Sequence, residues 1–543
     1  MKNEDKMQPG RRQFLTGSLA ASGAILVGQQ MLGPQTAMAI EGPVADTASG
    51  KIRGYADGPI KVFKGVPYGA STEGANRWLP AKPPKPWSDV RETTQQGPMC
   101  PQRFGAPMKE ETDMLQTGPF NEDCLNLNVY TPAVGRNSGK RPVMVWFHGG
   151  GFSAGSGGAT SYDGRNLCEK HDVVLVTVTH RLNIFGFLYL ADLHGDAYAD
   201  SGNAGILDCV AALEWVRANI PNFGGDPGNV TIFGQSGGAG KVSTLMGMTP
   251  AKGLFHRAAA ESGSAVRSGV KAQAAEAAKR VVDALGVKTL SELQAVPADK
   301  LVQVMATVRF NASPVVDGRS LQANVFDPVA SPLCASVPFM TGMTRNESNF
   351  FSATPPLDPI DDAHLQELLK GNFKGIGQED LDRLIKTVRN QNPGQPNQIV
   401  YQLIASQAFM TGIEDQANRK AEQNGAPVFV YYFAHTVPAR GGKLGAPHTA
   451  EIPYAFDSLA HSEPLIGAVT PREQALADKV SLAWTNFAKT GNPSNKLMGI
   501  WKPYNAKERP IMVIDDEPKL VNDPLHDSRV IIAELREKYQ TVR

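Results

Sequence analysis

Residues 229–246 have the sequence Asn-Val-Thr-Ile-Phe-Gly-Gln-Ser-Gly-Gly-Ala-Gly-Lys-Val-Ser-Thr-Leu-Met. The stretch begins as an apolar, β-branched strand pattern and continues from Lys241 as a helical pattern. Between the two lies Gly-x-Ser-x-Gly, with small residues on both sides of Ser236, where a tight strand-to-helix turn crowds the backbone. The pattern predicts a turn that presents Ser236 as a nucleophile above the positive end of a helix.

A second Gly-x-Ser-x-Gly occurs at residues 151–155, with Ser153 at its centre. Because 54 of the 543 residues are glycine, a chance match is not rare, and the context has to decide between the two copies. Ser153 follows a strand but enters the flexible run Gly155-Ser-Gly-Gly-Ala-Thr160, with no helix after it. We therefore expect Ser236 to be the nucleophile and Ser153 to be a loop residue.

Three consecutive glycines follow the apolar strand pattern Val143–Phe147 and His148. An isolated glycine triplet favours a tight turn that needs positive φ. Upstream of the Ser236 unit, another interpretation is favoured: acyl transfer needs backbone N–H donors about 3 Å from a developing oxyanion, and side chains would block that approach. His148 is then expected to shape this loop and not to act as the base.

A serine nucleophile also needs a base and an orienting acid. In α/β-hydrolases these follow the serine in the order acid, histidine. The histidines C-terminal to Ser236 are His256, His364, His435, His448, His461 and His526. His448 is favoured because it follows a glycine-containing loop, 441–447, after a strand pattern. Glu347 is the favoured acid because it comes just after the strand pattern Phe339–Gly342.

Strand and helix patterns alternate along the chain, which predicts one α/β domain over residues 40–543 with a largely parallel central sheet, flanking helices and long loop and helix insertions. Residues 265–335 are expected to form a cap or satellite region. The predicted strands are Val143–Phe147, Val173–Val178, Val230–Phe233, Ala258–Ala260, Phe339–Gly342 and Val428–Phe433, and the predicted helices are Ala204–Asn219, Gly240–Met248, Ala272–Leu285, Asp361–Leu369 and Pro471–Thr490.

The N-terminus has the features of an export signal. Arg11-Arg12 precede Phe-Leu and a mildly apolar stretch, and Ala37-Met38-Ala39 offers a small-x-small cleavage site. The paired arginines resemble a bacterial twin-arginine signal. We expect residues 1–39 to be removed and the protein to be periplasmic or secreted, without stable membrane insertion, because the apolar stretch is shorter than the roughly 20 residues that span a bilayer.

The net charge bears on the possible partners, and the cysteine count bears on the thiols. With 54 basic and 53 acidic residues the chain has a net charge of +1, so it has no general attraction for nucleic acid. A small molecule is the expected partner, and the oligomeric state is left open. The five cysteines (Cys100, Cys124, Cys168, Cys209 and Cys334) form an odd number, so at least one is a free thiol.

Eight stretches along the chain carry a family resemblance: Phe63-Lys-Gly-Val-Pro-Tyr68, Glu122-Asp-Cys-Leu-Asn-Leu-Asn-Val129, His148-Gly-Gly-Gly-Phe152, His180-Arg-Leu-Asn-Ile-Phe-Gly-Phe187, Gly202-Asn-Ala-Gly-Ile-Leu-Asp208, Asn222-Phe-Gly-Gly-Asp-Pro227, Gly234-Gln-Ser-Gly-Gly238 and Trp484-Thr-Asn-Phe-Ala-Lys-Thr-Gly-Asn-Pro493. In this order they resemble the type-B carboxylesterases, a family that includes bacterial p-nitrobenzyl esterases, animal carboxylesterases and cholinesterases. The resemblance covers nearly the whole mature chain and implies an α/β-hydrolase fold and carboxylic ester hydrolysis through an acyl-enzyme.

The resemblance also implies roles for individual residues. Ser236 would attack the ester, His448 would relay the proton and Glu347 would orient the imidazole. The oxyanion donors would be the N–H groups of Gly150, Gly151 and Gly237, the last at a position that is usually alanine. Ser262 would support the acid and the histidine, and Cys100–Cys124 resembles the first disulfide of the family. No metal or organic cofactor is implied.

Two departures from the family pattern bear on mechanism and substrate. The residue before the nucleophile is commonly glutamate but is Gln235 here, whose neutral amide can hydrogen-bond without supplying negative potential. Residues 101–123 contain Phe104 and Phe120 but no tryptophan, which argues against choline esters. The expected substrates are therefore small to medium, mostly uncharged esters. Carbamates, amides or lactones on the same triad are the alternative, and a neuroligin-like binding role is a more distant one.

Overall fold

An eleven-stranded sheet forms the centre of the structure, a computed structural model that describes residues 42–103, 117–350 and 356–541. Numbered in chain order, its strands are β1 Tyr55–Asp57, β2 Ile60–Pro67, β3 Asn126–Thr131, β4 Arg141–Phe147, β5 Val174–Thr179, β6 Gly225–Gln235, β7 Arg257–Glu261, β8 Phe339–Thr344, β9 Val428–Phe433, β10 Pro510–Ile514 and β11 Lys519–Asn522. The predicted signal segment, residues 1–39, and Phe104 lie outside the described residues.

The strands lie side by side in the order β11-β10-β9-β8-β7-β6-β4-β5-β3-β2-β1. From β10 to β5 every neighbouring pair is parallel. The antiparallel pairs are confined to the two edges of the sheet. The prediction of a largely parallel sheet is thus confirmed.

Both faces of the sheet are buried. Along β4, Val143, Val145 and Phe147 belong to one hydrophobic core, while Met144 and Trp146 belong to the core on the opposite face. Successive side chains of a strand point to opposite faces, so a strand buried on both sides must be apolar at every position. This is why the strands appear in the sequence as continuous apolar runs.

Helices cover the two faces of this sheet, as predicted. The α-helices of the described residues are Arg165–His171, Asn183–Phe187, Ala191–His194, Ala204–Asn219, Gly237–Leu245, Lys271–Leu285, Leu290–Ala295, Ala298–Val308, Asp362–Asn372, Gln378–Gln391, Asn397–Glu422, Ile452–Phe456, Glu463–Ile466, Pro471–Thr490 and His526–Lys538. Side chains of Ala204–Asn219 and Gly237–Leu245 pack into the first core, and those of Pro471–Thr490 pack into the second.

The helix after Ser236 begins three residues earlier than the periodicity indicated, at Gly237 instead of Gly240. Glycines have low helix propensity, so the sequence pattern placed them in the turn. The close contact of Gly237 with the backbone of Gly151 accounts for a glycine at the start of a helix. The earlier start brings the positive helix end directly to Ser236.

The region 265–335, expected to be a cap or satellite, packs partly on a third hydrophobic cluster that it shares with residues outside the region and partly on the first core. Three helices, Lys271–Leu285, Leu290–Ala295 and Ala298–Val308, contribute buried side chains to a cluster that also contains Trp78 and Leu182. Two short strands of the region, Gly269–Val270 and Val315–Val316, pair in parallel. Residues 42–543 nevertheless belong to one compact unit.

Two short additional sheets complete the fold: Val44–Thr47 with Gly50–Arg53 and Arg91–Glu92, and Phe373–Lys374 with Gln540–Thr541. Among the described residues, no helix is both long and apolar enough to cross a membrane.

All five cysteines are buried free thiols in the structure. The disulfide that the resemblance implies between Cys100 and Cys124 is therefore not formed in it. The two side chains are neighbours in one hydrophobic cluster, and hydrogen bonding to Cys100, followed by burial, raises the pKa of the Cys124 thiol well above its ordinary value.

Candidate active site

Ser236 occupies a sharp turn between β6 and the helix Gly237–Leu245. Its backbone has φ 57° and ψ −121°, a conformation that L-residues rarely adopt. The turn is held by a hydrogen bond from the Ser236 N–H to the carbonyl of Glu261 at the end of the neighbouring strand β7, at 2.8 Å. Ser236 is half-buried while residues 230–235 of the strand before it are fully buried, so the turn lifts this residue out of the core.

Glu347 and His448 meet at the carboxyl edge of the sheet, 101 residues apart in sequence. Glu347 follows β8 and His448 lies on the loop after β9, and these two strands are neighbours. A hydrogen bond joins Nδ1 of His448 to Oε2 of Glu347, and both side chains are essentially inaccessible to solvent. The carboxylate can therefore fix the orientation and tautomer of the imidazole.

Each partner of this pair has its own support. The other oxygen of Glu347, Oε1, accepts the N–H of Thr344 at 2.8 Å. The loop of Glu347 is tied to the loop of His448 by two hydrogen bonds between Asn346 and Ala446, of 2.9 and 3.0 Å. The ring of Phe409 lies against the imidazole, with centroids 5.5 Å apart.

Gln235 brings the serine turn to the imidazole. Its side-chain nitrogen lies 3.3 Å from Nδ1 and 3.4 Å from Nε2 of His448. Because Gln235 directly precedes Ser236, this contact ties the segment that carries the nucleophile candidate to the base candidate. The amide makes this contact without a charge.

Ser262 contacts a residue that the sequence analysis did not single out. Its hydroxyl donates to Oε1 of Glu451 at 2.8 Å, and Tyr431 donates to the same oxygen at 3.3 Å. Glu451 is fully buried, and burial, reinforced by the nearby charge of Glu347, raises its pKa to about 7. The hydrogen bond of Ser262 is thus to this second glutamate, and its expected support of the acid and the histidine stays a prediction. The available sequence signal for Glu451 was its position three residues after His448.

The carbonyls of the glycine run are held on one side of the loop. The carbonyl of Gly149 lies 2.8 Å from Nδ1 of His148, and that of Gly150 accepts the N–H groups of Ser153 and Ala154 at 3.3 and 3.0 Å. These carbonyls share peptide planes with the N–H groups of Gly150 and Gly151. Within the described part of the chain, no hydrogen bond uses either N–H as donor, so both can serve an anion.

The third expected donor, the N–H of Gly237, is the first of its helix and has no intrahelical acceptor. A Cβ at this position would lie 2.1 Å from the carbonyl oxygen and 2.4 Å from the Cα of Gly151. Glycine at this position thus does more than leave the donor in place: it lets the loop that carries the other two donors approach the helix end.

Replacing Gly237 by alanine should therefore push Gly151 away and lower kcat by roughly 100-fold, the usual effect of losing one oxyanion donor. Steady-state kinetics on a p-nitrophenyl ester would measure it. Gly371→Ala is the matched control, because a Cβ on this helical glycine would meet no atom of another segment within 4 Å. Unchanged kcat in Gly237→Ala would contradict the close approach of the two segments.

Two other predicted residues lie where the sequence placed them. Ser153 is an exposed residue in the turn that follows the glycine run. His148 is fully buried, stacks on His180 with ring centroids 4.9 Å apart, and has a pKa lowered well below its ordinary value by burial and by Lys241.

One group among the described side chains could offer ligands to a metal ion: His435, Asp515 and Asp516. Arg472 already donates to Asp516 at 2.8 Å, and His435 lies 3.0 Å from the other oxygen of the same carboxylate. A cation would have to compete with this existing charge, so the group gives no reason to assign a metal centre.

Comparison with known proteins identifies the family of the chain. Residues 41–532 match the model of the carboxylesterase family. The chain is 32% identical to the para-nitrobenzyl esterase of Bacillus subtilis, over 90% of this chain and 97% of that protein. Two solved structures are similar: a carboxylesterase of Geobacillus stearothermophilus (TM-score 0.76, 32% identity, 90% and 99% of the chains) and an esterase of Clostridium hathewayi described as hydrolysing aliphatic aromatic polyesters (TM-score 0.77, 30% identity, 91% and 98%).

The fold and site therefore define a serine hydrolase of the α/β-hydrolase class. The chain belongs to the carboxylesterase family, and its activity is the hydrolysis of carboxylic esters.

Proposed function

We propose that Ser236, His448 and Glu347 form the catalytic triad of this esterase. Ser236 attacks the acyl carbon while His448 accepts the hydroxyl proton, and the resulting oxyanion is bound by the N–H groups of Gly150, Gly151 and Gly237. The alcohol then leaves with the proton from His448. Water attacks the acyl-enzyme by the same route and releases the acid.

The observation that carries this proposal is the buried hydrogen bond between Glu347 and His448. It is supported by the strained turn of Ser236, whose neighbour Gln235 contacts the imidazole. A fluorophosphonate probe tests it, because it reacts only with an activated serine. Mass spectrometry of the labelled wild-type protein should find one modified peptide, containing Ser236. Labelling at another residue would contradict the assignment.

The substrates we propose are small to medium, mostly uncharged esters. Phe409 lies on the imidazole of His448, and Phe152, which follows the glycine run, packs edge-on against Phe187 at 5.3 Å. Aromatic side chains in these positions favour apolar acyl and alcohol groups. A p-nitrophenyl series from acetate to decanoate, with a choline ester beside it, would size the pocket. Preference for the choline ester would contradict the proposal.

We also propose that the chain is exported through its paired arginines and acts in the periplasm or outside the cell. The support is the sequence of residues 1–39, with Arg11-Arg12, an apolar stretch and Ala37-Met-Ala39. Fractionation of cells that express wild type and an Arg11→Lys, Arg12→Lys variant would test it. Retention of only the variant in the cytoplasm is expected, and equal export of both would contradict the twin-arginine route.

In an oxidising compartment Cys100 and Cys124 would pair, as in the family. Their adjacent positions in one buried cluster support this. Peptide mapping of exported protein without reduction should recover the two peptides joined, and two separately alkylated peptides would contradict the pairing.

A further inference from the structure

Lys241 is a buried lysine one turn into the helix that starts at Gly237. Its side chain is 0% exposed. Its ammonium donates to the carbonyl oxygen of His148 at 2.8 Å and to that of Gly151 at 3.0 Å. It also lies over the ring of Phe152, 5.7 Å from the centroid. The side chain therefore spans from the helix to both ends of the glycine run.

The two carbonyls that Lys241 binds lie on either side of the oxyanion donors. Four consecutive peptide units run from the carbonyl of His148 to the N–H of Phe152. The first and the last contain the carbonyls that Lys241 binds, and the two between them contain the N–H groups of Gly150 and Gly151. Fixing the outer two peptides limits rotation of the inner two. Lys241 thus holds in place the segment whose N–H groups must already point at the oxyanion before it forms.

The ammonium has no carboxylate partner among the described residues. The titratable groups that influence it are His148, His180 and Cys209, and beyond them Arg181 is already paired with Asp208 at 2.6 Å. Burial keeps His148 and His180 neutral by lowering their pKa, and burial raises the pKa of the Cys209 thiol.

Burying a charge without a counterion is costly, and an apolar side chain would fill the same space more cheaply. The place of this charge points to a role in the reaction: it lies on the carbonyls of the glycine run whose N–H groups are the proposed oxyanion donors, close to where negative charge develops.

We propose that Lys241 is a positioning residue for the oxyanion hole: it clamps the glycine run through the carbonyls of His148 and Gly151, and its positive charge stabilises the oxyanion through that run. The inference rests on the proposed assignment of Gly150, Gly151 and Gly237 as oxyanion donors.

Burial lowers the pKa of Lys241 to about 7, which gives the proposal a pH signature. The ammonium is charged below this pH and becomes neutral above it, so its contribution should be complete near pH 6 and should decline as the pH rises through 7. Other groups of the site also titrate, but they are common to wild type and to a Lys241 variant. The ratio of the two kcat values isolates Lys241.

The test compares Lys241→Met with Lys420→Met. Lys420 is an equally buried lysine in the helix Asn397–Glu422, where it donates to the carbonyls of Ala335 and Ala426 at 3.2 Å each, outside the site. Three quantities are measured on p-nitrophenyl butyrate from pH 6 to 9: kcat, KM, and the inhibition constant of a trifluoromethyl ketone, which forms an oxyanion adduct with the serine.

For Lys241→Met we expect kcat to fall roughly 10- to 100-fold at pH 6, as for loss of an oxyanion interaction, while KM changes less than about threefold. The ketone should bind more weakly by about the same factor as the fall in kcat. The wild-type to variant ratio of kcat should shrink toward pH 9. Lys420→Met should leave kcat, KM and the inhibition constant of the ketone unchanged.

A folded Lys241→Met enzyme with wild-type kcat and ketone affinity would overturn the proposal. A wild-type to variant ratio of kcat that does not change with pH would also overturn it, because it would mean that Lys241 acts through packing and not through its charge. If the methionine variant does not fold, Lys241→Gln takes its place, since its amide keeps a donor without the charge. Complete fluorophosphonate labelling of Ser236 in the same preparation shows that the triad assignment holds whatever the result at Lys241.

Discussion

Replacing Ser236 by alanine should lower kcat by roughly 10⁴- to 10⁶-fold. The hydroxyl is the only part removed, and without it no acyl-enzyme can form. The oxyanion donors and the substrate contacts stay, so a small residual rate above the uncatalysed reaction is expected. Stopped assays with p-nitrophenyl butyrate over hours would measure this rate, and thermal unfolding should show a change of less than about 1 kcal/mol in stability.

The chain carries its own control for this experiment. Ser153 stands in the second Gly-x-Ser-x-Gly, on an exposed turn. Ser153→Ala should leave kcat and KM unchanged. Substantial activity in Ser236→Ala, or a collapse of activity in Ser153→Ala, would show that the pattern was assigned to the wrong copy.

Replacing Glu347 by glutamine should lower kcat by about 10⁴-fold, the usual effect of losing the charge that orients the catalytic histidine. Oε2 of Glu347 accepts a hydrogen bond from Nδ1 of His448 in a site without solvent. A glutamine can turn its NH₂ group toward Nδ1, which favours the tautomer that protonates the wrong nitrogen and leaves the imidazole unable to accept the serine proton. Steady-state kinetics at pH 7 to 9 would measure the loss.

Two further variants separate the effect of the Glu347 charge on catalysis from the effect of changing any buried glutamate on folding. Glu347→Asp keeps the charge on a shorter side chain, so it should lose less than the glutamine variant. Glu122 is another buried glutamate, bonded to Arg77 at 2.5 and 2.8 Å away from the triad, and Glu122→Gln should reduce stability while kcat stays within about threefold of wild type. Equal losses in the Glu122 and Glu347 variants would mean that both act through folding.

The amino-acid sequence was sufficient for the class of fold because strand and helix patterns are local. Val428–Phe433, Ala204–Asn219 and Pro471–Thr490 have in the structure the bounds that their patterns predict. A strand buried on both faces is apolar at every position, so β4 and β9 could be recognised without knowing their neighbours. The start of the helix after Ser236 was predicted three residues too late. Its first turn contains glycines, which have low helix propensity but allow a close contact with the segment of Gly151.

The site is built from residues that are distant in sequence, so the sequence could only suggest candidates for it. Order along the chain favoured Glu347 and His448, and the family resemblance implied the same residues; their hydrogen bond depends on β8 and β9 being neighbours. The contact of Ser262 with Glu451 was missed because the two residues are 189 positions apart and no local pattern connects them.

The sequence alone predicts the strand–turn–helix at Ser236, the largely parallel α/β architecture and membership of the carboxylesterase family, since short-range patterns and ordered motifs carry that information. Only the three-dimensional structure shows which carbonyls Lys241 binds, how closely Gly237 approaches Gly151, and which glutamate Ser262 contacts. These contacts join segments that are separate in sequence, and they exist because parallel strands end at the same edge of the sheet, where their loops are brought within hydrogen-bonding distance.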